Sequence, residues 1–234
     1  MQRKAGKNSA ATPLAALVDR LSRAYSVDRP PADPLRLVMW ENIGYLIEDT
    51  RREKLLEEFQ ARVGLDADGI ARAPATLLLD IAARGGMRPE MRVARWRQIA
   101  AIVRDECGGD LHGRLQAMPP AKARTLLKRF PSIGDPGADR ILLFCGYDAR
   151  PAVDSNGLRV LVRLGALAAG SSYAATYRSA IALLAATYGQ DRERLIHAYL
   201  LLREHGRELC KRSAPLCMPC PLDALCAHAP AKGL

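Results

Sequence analysis

No stretch of this 234-residue chain offers the roughly 18 consecutive apolar residues that a membrane helix needs, so no span is expected. Residues 1–12 are basic and rich in small side chains but lack the apolar core of a signal peptide; they read as a frayed tail on a cytoplasmic protein. Alternating β-type runs bounded by turns are missing as well. Residues 153–162 are the one competitor, and their Asp-Ser-Asn start looks more like a helix cap. There is no internal repeat and no low-complexity tract beyond the tail. Hydrophobic residues make up 49% and charged residues 26%, which excludes long disorder and leaves enough apolar material for a real core.

What is present is helical periodicity. Leu14, Leu17, Val18 and Leu21 share one face of a first helix, which residues 26–33 break with two adjacent prolines. Asp33-Pro34 opens a second helix, a capping carboxylate followed by proline in the first turn, and this helix carries Leu37, Val38, Trp40, Ile43, Leu46 and Ile47. Further helices are expected over 51–63, 74–83, 91–107, 119–130, 137–145, 154–164, 173–188 and 191–206. Gly85-Gly86, Gly108-Gly109 and the stretch 147–151 are the clearest breaks, the last a candidate division between two lobes. The fold class is all-α.

The formal net charge of +10 favours a polyanionic partner, either nucleic acid or anionic lipid. Of six cysteines, Cys107 and Cys145 stand alone, each followed by glycine. Cys210, Cys217, Cys220 and Cys226 form a C-x6-C-x2-C-x5-C cluster, which without a secretion signal reads as a metal site rather than a disulfide framework. Four thiolates on a loop stiffened by Pro215, Pro219 and Pro221 can surround an iron–sulfur cubane. Tetrahedral zinc is the other reading, although zinc sites more often pair two C-x2-C knuckles and here there is one.

Two further segments carry chemistry. Residues 121–146 read as helix, tight turn, helix, with Phe130-Pro131-Ser132-Ile133-Gly134 at the turn. Such a hairpin aims backbone N–H groups and the positive end of the next helix at one phosphate, gripping a backbone without reading sequence. Many proteins have short αα-turns with no such role. After the hairpin comes Val153-Asp154-Ser155-Asn156, whose aspartate on its own would be taken as a helix N-cap. Glu41, on the second helix, would be taken as a solvated helix-face residue.

Together, over residues 33–229, these segments resemble the endonuclease III and adenine-glycosylase family of helix-hairpin-helix DNA glycosylases. The resemblance is strongest in the Cys-Pro-Leu-Asp-Ala-Leu-Cys ending of the cysteine cluster. It implies a two-lobed all-α fold. Residues 13–33 plus 150–234 would form the cluster lobe, and residues 34–149 a six-helix lobe containing the hairpin. It also implies a structural [4Fe–4S] cluster on Cys210, Cys217, Cys220 and Cys226 that props Lys211 and Arg212 against DNA. Ser132, Ile133, Gly134 and Gly137 match the hairpin, with Ser132 where the family has glycine and Asp135 placing negative charge near the expected phosphate. Asp154 matches the catalytic carboxylate, able to stabilise positive charge developing on a deoxyribose or to activate water. Asn156 matches the form of that segment found in single-function members.

Glu41 falls on the glutamate that adenine glycosylases use to protonate the base. Tyr45, Leu46 and Ile47 replace the family's polar wedge, which fills the gap left by a flipped base; core packing is the other reading for Leu46 and Ile47. The region 84–97, with five arginines and Trp96, is either a basic DNA-facing loop or a solvated face. Pro136 stands where bifunctional members carry the Schiff-base lysine, so lyase activity is not expected. The implied partner is double-stranded DNA with a damaged or mispaired base, bound by a cytoplasmic, nucleoid-associated monomer. Two rivals stay open: a DNA-binding or damage-recognition member with little or no turnover, and a zinc-stabilised nucleic-acid-binding module.

Overall fold

A computed structural model describes residues 13–229; the expected tail over 1–12 lies outside the described residues. Among the described residues there are twelve α-helices, one 3-10 turn and no strand. In chain order the helices are α1 (Leu14–Ser22), α2 (Pro34–Asn42), α3 (Asp49–Arg62), α4 (Ala67–Arg72), α5 (Ala75–Arg84) and α6 (Pro89–Cys107). They continue with α7 (Leu111–Gln116), α8 (Pro120–Leu127), α9 (Asp135–Cys145), α10 (Ser155–Arg163), α11 (Tyr173–Tyr188) and α12 (Arg192–Glu208), and the 3-10 turn is Asp223–Leu225. No helix among the described residues is long and apolar enough to cross a membrane.

The chain divides into two compact units. One is Pro30–Arg150; the other joins the chain up to Arg29 with the chain from Pro151 onward. The middle unit holds eight helices rather than the six expected. The two additions, α4 and α7, are six residues each, too short to show a period. Both are started by an aspartate N-cap: Asp66 accepts from the Gly69 N–H and Asp110 from the Gly113 N–H. Val38, Met39, Leu56, Phe59, Ile81, Trp96, Ile99 and Phe130 are fully buried in this unit. The Phe59 and Trp96 rings meet edge to face at 4.8 Å, and the Trp96 indole N–H donates to the Asn42 carbonyl at 3.0 Å.

The second helix is shorter than its hydrophobic pattern suggests. α2 stops at Asn42, so Tyr45, Leu46 and Ile47 lie on a loop. The cause is distant in sequence: the Tyr45 N–H donates to the Gly85 carbonyl at 2.8 Å, pulling the backbone against the Gly85-Gly86 turn. A Cβ at Gly86, whose φ is +97°, would sit 2.4 Å from the Tyr45 carbonyl oxygen, so only glycine allows this approach. Leu46 takes a left-handed φ of +54° and is 79% exposed, which removes the core-packing reading for it.

In the other unit, α1, α10, α11 and α12 bury Leu17, Leu21, Val160, Leu161, Leu184, Leu195, Leu201 and Leu202. α12 runs close to the start of α10 because residue 206 is glycine. A Cβ there would lie 2.8 Å from both the carbonyl oxygen and the Cβ of Asn156. Cys107 and Cys145 end α6 and α9, and the glycines after them adopt the left-handed cap, which explains the Cys-Gly pairs without a metal.

Candidate functional site

Asp154 is the N-cap of α10. Its Oδ1 accepts from the Gly157 N–H at 2.8 Å and its Oδ2 from the Asn156 side-chain amide at 3.0 Å. Gly157 is required here, since a Cβ would lie 2.8 Å from Val153 Cγ2. Arg203, on α12, brings its Nε to 3.6 Å from Oδ2, close enough to pair electrostatically but too long for a hydrogen bond. The carboxylate keeps 22% of its side-chain surface open. The exposed Tyr173 at the start of α11 registers it: burial pushes the Tyr173 phenol up, and the Asp154 charge adds to that. The capping role and the catalytic candidacy therefore coexist in one side chain.

Asn156 also links this carboxylate to the cysteine loop. Its Oδ1 accepts from Arg159 Nη2 at 2.9 Å, and the same Nη2 donates to the Gly206 carbonyl at 2.7 Å while Nε donates to the Cys210 carbonyl at 2.9 Å. One turn on, Arg163 donates to the carbonyls of Lys211 (2.7 Å) and Arg212 (2.9 Å). The backbone at Lys211-Arg212 is thus pinned by α10, and both side chains are exposed.

Cys210, Cys217, Cys220 and Cys226 line one pocket, together with Leu209, Leu216 and His205. Burial pushes the Cys220 thiol up; the Leu222 amide opposes this, and the other three cysteines act in the same direction as burial. Among the described residues no three His, Cys, Asp or Glu side chains converge as ligands to one metal ion would. A single zinc needs all its sulfurs about 2.3 Å from one point. A cubane takes each sulfur on a different iron, and four cysteines lining one hollow offer the donor set that it needs.

The hairpin lies in the other unit. Ser132, at the tip between α8 and α9, has φ +63°, the conformation that explains glycine at this position in the resembling family. Its Oγ accepts from Arg95 at 3.2 Å, and the Asn42 amide ties the turn to α2 by donating to the Pro131 carbonyl at 2.8 Å. Ile133 is buried and anchors the turn, while Gly134 is exposed and Gly137 half-buried. Gly134 is the N-cap of α9 and no side chain caps that end, so its first amides are left open. The charge on Asp135 is not left bare. Lys128 Nζ lies 2.6 Å from it and Arg124 Nη2 2.9 Å, and the Lys128 hydrogen bond above all holds its carboxyl below the usual range. Pro136 falls in the first turn of α9 and carries no amine, and the Lys128 amine is committed to Asp135.

Glu41 pairs with Arg140 at 2.9 Å, a guanidinium only 7% exposed. Glu41, Tyr45 and Ser132 line a pocket of about 560 Å³ with Met87, Arg88, Met91, Arg92 and Arg95. Met87 and Met91 were not singled out from the sequence, and Arg88, Arg92 and Arg95 only as part of the arginine-rich stretch 84–97, although they already had the spacing of one helix face. The arginine-rich stretch does not act as a single loop. Arg84 pairs with Glu58 and Asp80, Arg97 caps the carbonyls at the end of α4, and Trp96 is core.

No family model matches the chain. A curated relative, endonuclease III of Sulfolobus acidocaldarius, is 33% identical over 107 residues, which are 46% of this chain and 45% of that relative, so the match spans under half of its length. Three solved structures share the fold over nearly the whole chain. A trapped endonuclease III–DNA covalent intermediate, an estranged-adenine complex, gives a TM-score of 0.71 at 18% identity over 93% of each chain. A thermostable thymine-DNA glycosylase gives 0.71 at 17%, and a non-covalent endonuclease III–DNA complex 0.73 at 18%, each over 92% of this chain and 94% of the other.

Proposed function

We propose that this chain, which has the fold of the endonuclease III DNA glycosylases and is similar in sequence to one of them, removes a damaged or mispaired base from double-stranded DNA by hydrolysis. The observation that carries the reading is the setting of Asp154: a partly open carboxylate held from both oxygens at the start of α10. Breaking the N-glycosidic bond leaves positive charge on the sugar, and the departing base takes the bonding electrons. A carboxylate offsets that charge and accepts the proton of the attacking water, whose oxygen bonds to the anomeric carbon. Asn156 and Gly157 fix the rotamer, and Arg203 steadies Oδ2 without consuming it.

Strand cleavage through a Schiff base needs a free amine, and Pro136 supplies none. The open amides of Gly134, Asp135 and Gly137 suit a phosphate, with Lys128 and Arg124 offsetting Asp135. Lys211 and Arg212 offer two more cations to the DNA backbone. Tyr45 and Leu46, exposed on a loop that Gly86 holds in place, suit the wedge role. Cys210, Cys217, Cys220 and Cys226 would hold a [4Fe–4S] cluster, whose contribution when bound is structural, fixing the loop that presents Lys211 and Arg212. The protein would act as a monomer.

A panel of lesion and mismatch duplexes, treated with alkali after incubation, tests this. Wild type should nick at least one duplex only after alkali, Asp154→Asn should leave it intact, and borohydride should trap no covalent adduct in good yield. The Arg203 pairing favours a second reading, a DNA-binding member with little turnover, and a panel left intact by wild type would select it.

A further inference from the structure

The last turn of α12 holds the cysteine loop at two points. The backbone carbonyl of His205 accepts from the N–H groups of Leu209 (3.1 Å) and Cys210 (2.8 Å), closing the helix where the first cysteine leaves it. The His205 side chain, 2% exposed, brings Nε2 to 3.7 Å from the Cys220 sulfur, within reach of so large an acceptor atom. Its other nitrogen, Nδ1, lies 2.9 Å from the Tyr25 hydroxyl, and the two rings meet edge to face at 5.8 Å. Tyr25 follows α1, tied to it by a backbone hydrogen bond to the Leu21 carbonyl at 3.0 Å. Two segments 180 residues apart thus converge on one imidazole, within one compact unit.

A cysteine that binds metal does so as a thiolate, and its sulfur then only accepts hydrogen bonds. Cys220 receives the Leu222 N–H at 3.4 Å, and Cys210 receives Arg163 Nη1 at 3.5 Å. An arginine always donates. A neutral imidazole has one N–H, and the group at one ring nitrogen decides whether the other carries it. Burial above all pushes the Tyr25 phenol up to about 12, so the hydroxyl keeps a proton to donate. Donation to Nδ1 places the ring's N–H on Nε2, toward Cys220. The opposite tautomer would set the Nε2 lone pair against a thiolate, which is repulsive.

We infer that Tyr25 and His205 form a relay that points one N–H at the Cys220 sulfur, which makes His205 a positioning residue that holds this ligand and biases a bound cluster toward its more electron-rich form. Hydrogen bonds to the sulfurs are one of the ways in which a protein sets the potential of an iron–sulfur cluster. The inference rests on the cluster proposed above and not on base removal.

Full-length wild type and variants would be assayed for iron, and their visible absorbance followed through a mediated redox titration, in which the cluster exchanges one electron with the electrode and no atom is transferred. His205→Leu should make oxidation easier, shifting the one-electron equilibrium about tenfold, or about 59 mV to lower potential. His205→Gln, whose side-chain amide keeps an N–H near the place of Nε2, should recover at least half of that shift. Tyr25→Phe, which keeps both rings and loses only the hydroxyl, should shift the equilibrium about threefold in the same direction as His205→Leu. A histidine that merely filled space would give neither the glutamine recovery nor the phenylalanine shift. Equal potentials in wild type, His205→Leu and Tyr25→Phe overturn the inference and leave the cluster reading intact. If His205→Leu holds no iron, the other two variants decide. An iron-loaded His205→Gln close to wild type beside a shifted Tyr25→Phe supports the relay, and Tyr25→Phe at the wild-type potential overturns it. A wild-type cluster with no measurable one-electron couple also overturns it. Wild type that holds no iron overturns the relay and the cluster together, while the lesion panel still tests base removal on its own.

Discussion

Asp154 and Glu41 are both carboxylates near a helix end, and the structure treats them oppositely. Asp154 opens α10, where the helix N-terminus favours negative charge; it is gripped by an amide and a backbone N–H and faces Arg203 at 3.6 Å. Glu41 lies in the last turn of α2, where the helix dipole disfavours it, and pairs at 2.9 Å with a buried guanidinium. The difference is one of availability. The first is held in place with little charge pairing, whereas the second is the counter-ion that lets Arg140 stay buried.

That contrast gives the largest expected effect. Asp154→Asn should lower base release by about 10²–10⁴-fold, the usual span for removal of an acid–base group, with little change in melting, because asparagine caps helices as well as aspartate. Glu41→Gln should do the reverse: turnover should fall by less than about tenfold, and stability should drop by about 1–3 kcal/mol, below the figure for a fully buried pair because Glu41 is 34% exposed. Single-turnover rates and denaturant melts of both variants decide it. Abolished turnover in Glu41→Gln at unchanged stability would make Glu41 the reacting group and break the contrast.

The two residues should also differ in what they owe to the cysteine loop. Asp154 reaches it through Asn156 and Arg159, a chain of hydrogen bonds ending on the Cys210 carbonyl. Cys220→Ser should lower bound iron from about four per chain and cost about 4 kcal/mol or more, since losing a metal site is among the severe single changes. Full iron content and unchanged melting in that variant would sever the link.

A smaller effect is expected at the hairpin. Asp135→Asn removes the negative charge at the open end of α9 and releases Lys128 from its pairing, while Arg124 stays bound to Asp139. DNA affinity should rise a few-fold, and the slope of log affinity against log salt should steepen by about 0.9. Unchanged affinity would mean that no phosphate approaches this end of α9.

How much of this could be read in the sequence depended on how local the cause was. α11 begins and ends where its periodicity placed it, Tyr173–Tyr188, because a serine cap and a glycine stop are adjacent to it. The start of α10 was legible for the same reason. The end of α2 was not, since the Gly85 carbonyl that pulls Tyr45 out of the helix is forty residues away. Nor could sequence sort the arginines of 84–97. They look alike as letters and are told apart only by what folds against them: Glu58 and Asp80 for Arg84, the α4 carbonyls for Arg97, and no described carboxylate for Arg88, Arg92 and Arg95. The cysteine spacing suggested a cluster loop, but the role of Arg159 and Arg163 in holding its backbone needed coordinates.

The smallest expected effect isolates backbone strain from chemistry at the tip of the hairpin. Ser132 and Leu46 both adopt left-handed φ without being glycine. Relief differs between them, because Ser132 is compensated by the Arg95 hydrogen bond to its Oγ and Leu46 is bare at 79% exposure. Ser132→Gly removes a penalty of about 1–2 kcal/mol for a Cβ in this region and gives up one exposed hydrogen bond of about 0.5–1 kcal/mol. The net gain should be a few tenths to about 1 kcal/mol, or roughly 1–4 °C in Tm for a chain of this size. Leu46→Gly relieves the same strain with no hydrogen bond to lose, and both changes give the unfolded chain the same added freedom of a glycine, so it should stabilise slightly more. A thermal melt in which Ser132→Gly lowers Tm would show that the Arg95 hydrogen bond outweighs the strain. The serine would then belong to the arginine face of α6 as much as to the hairpin.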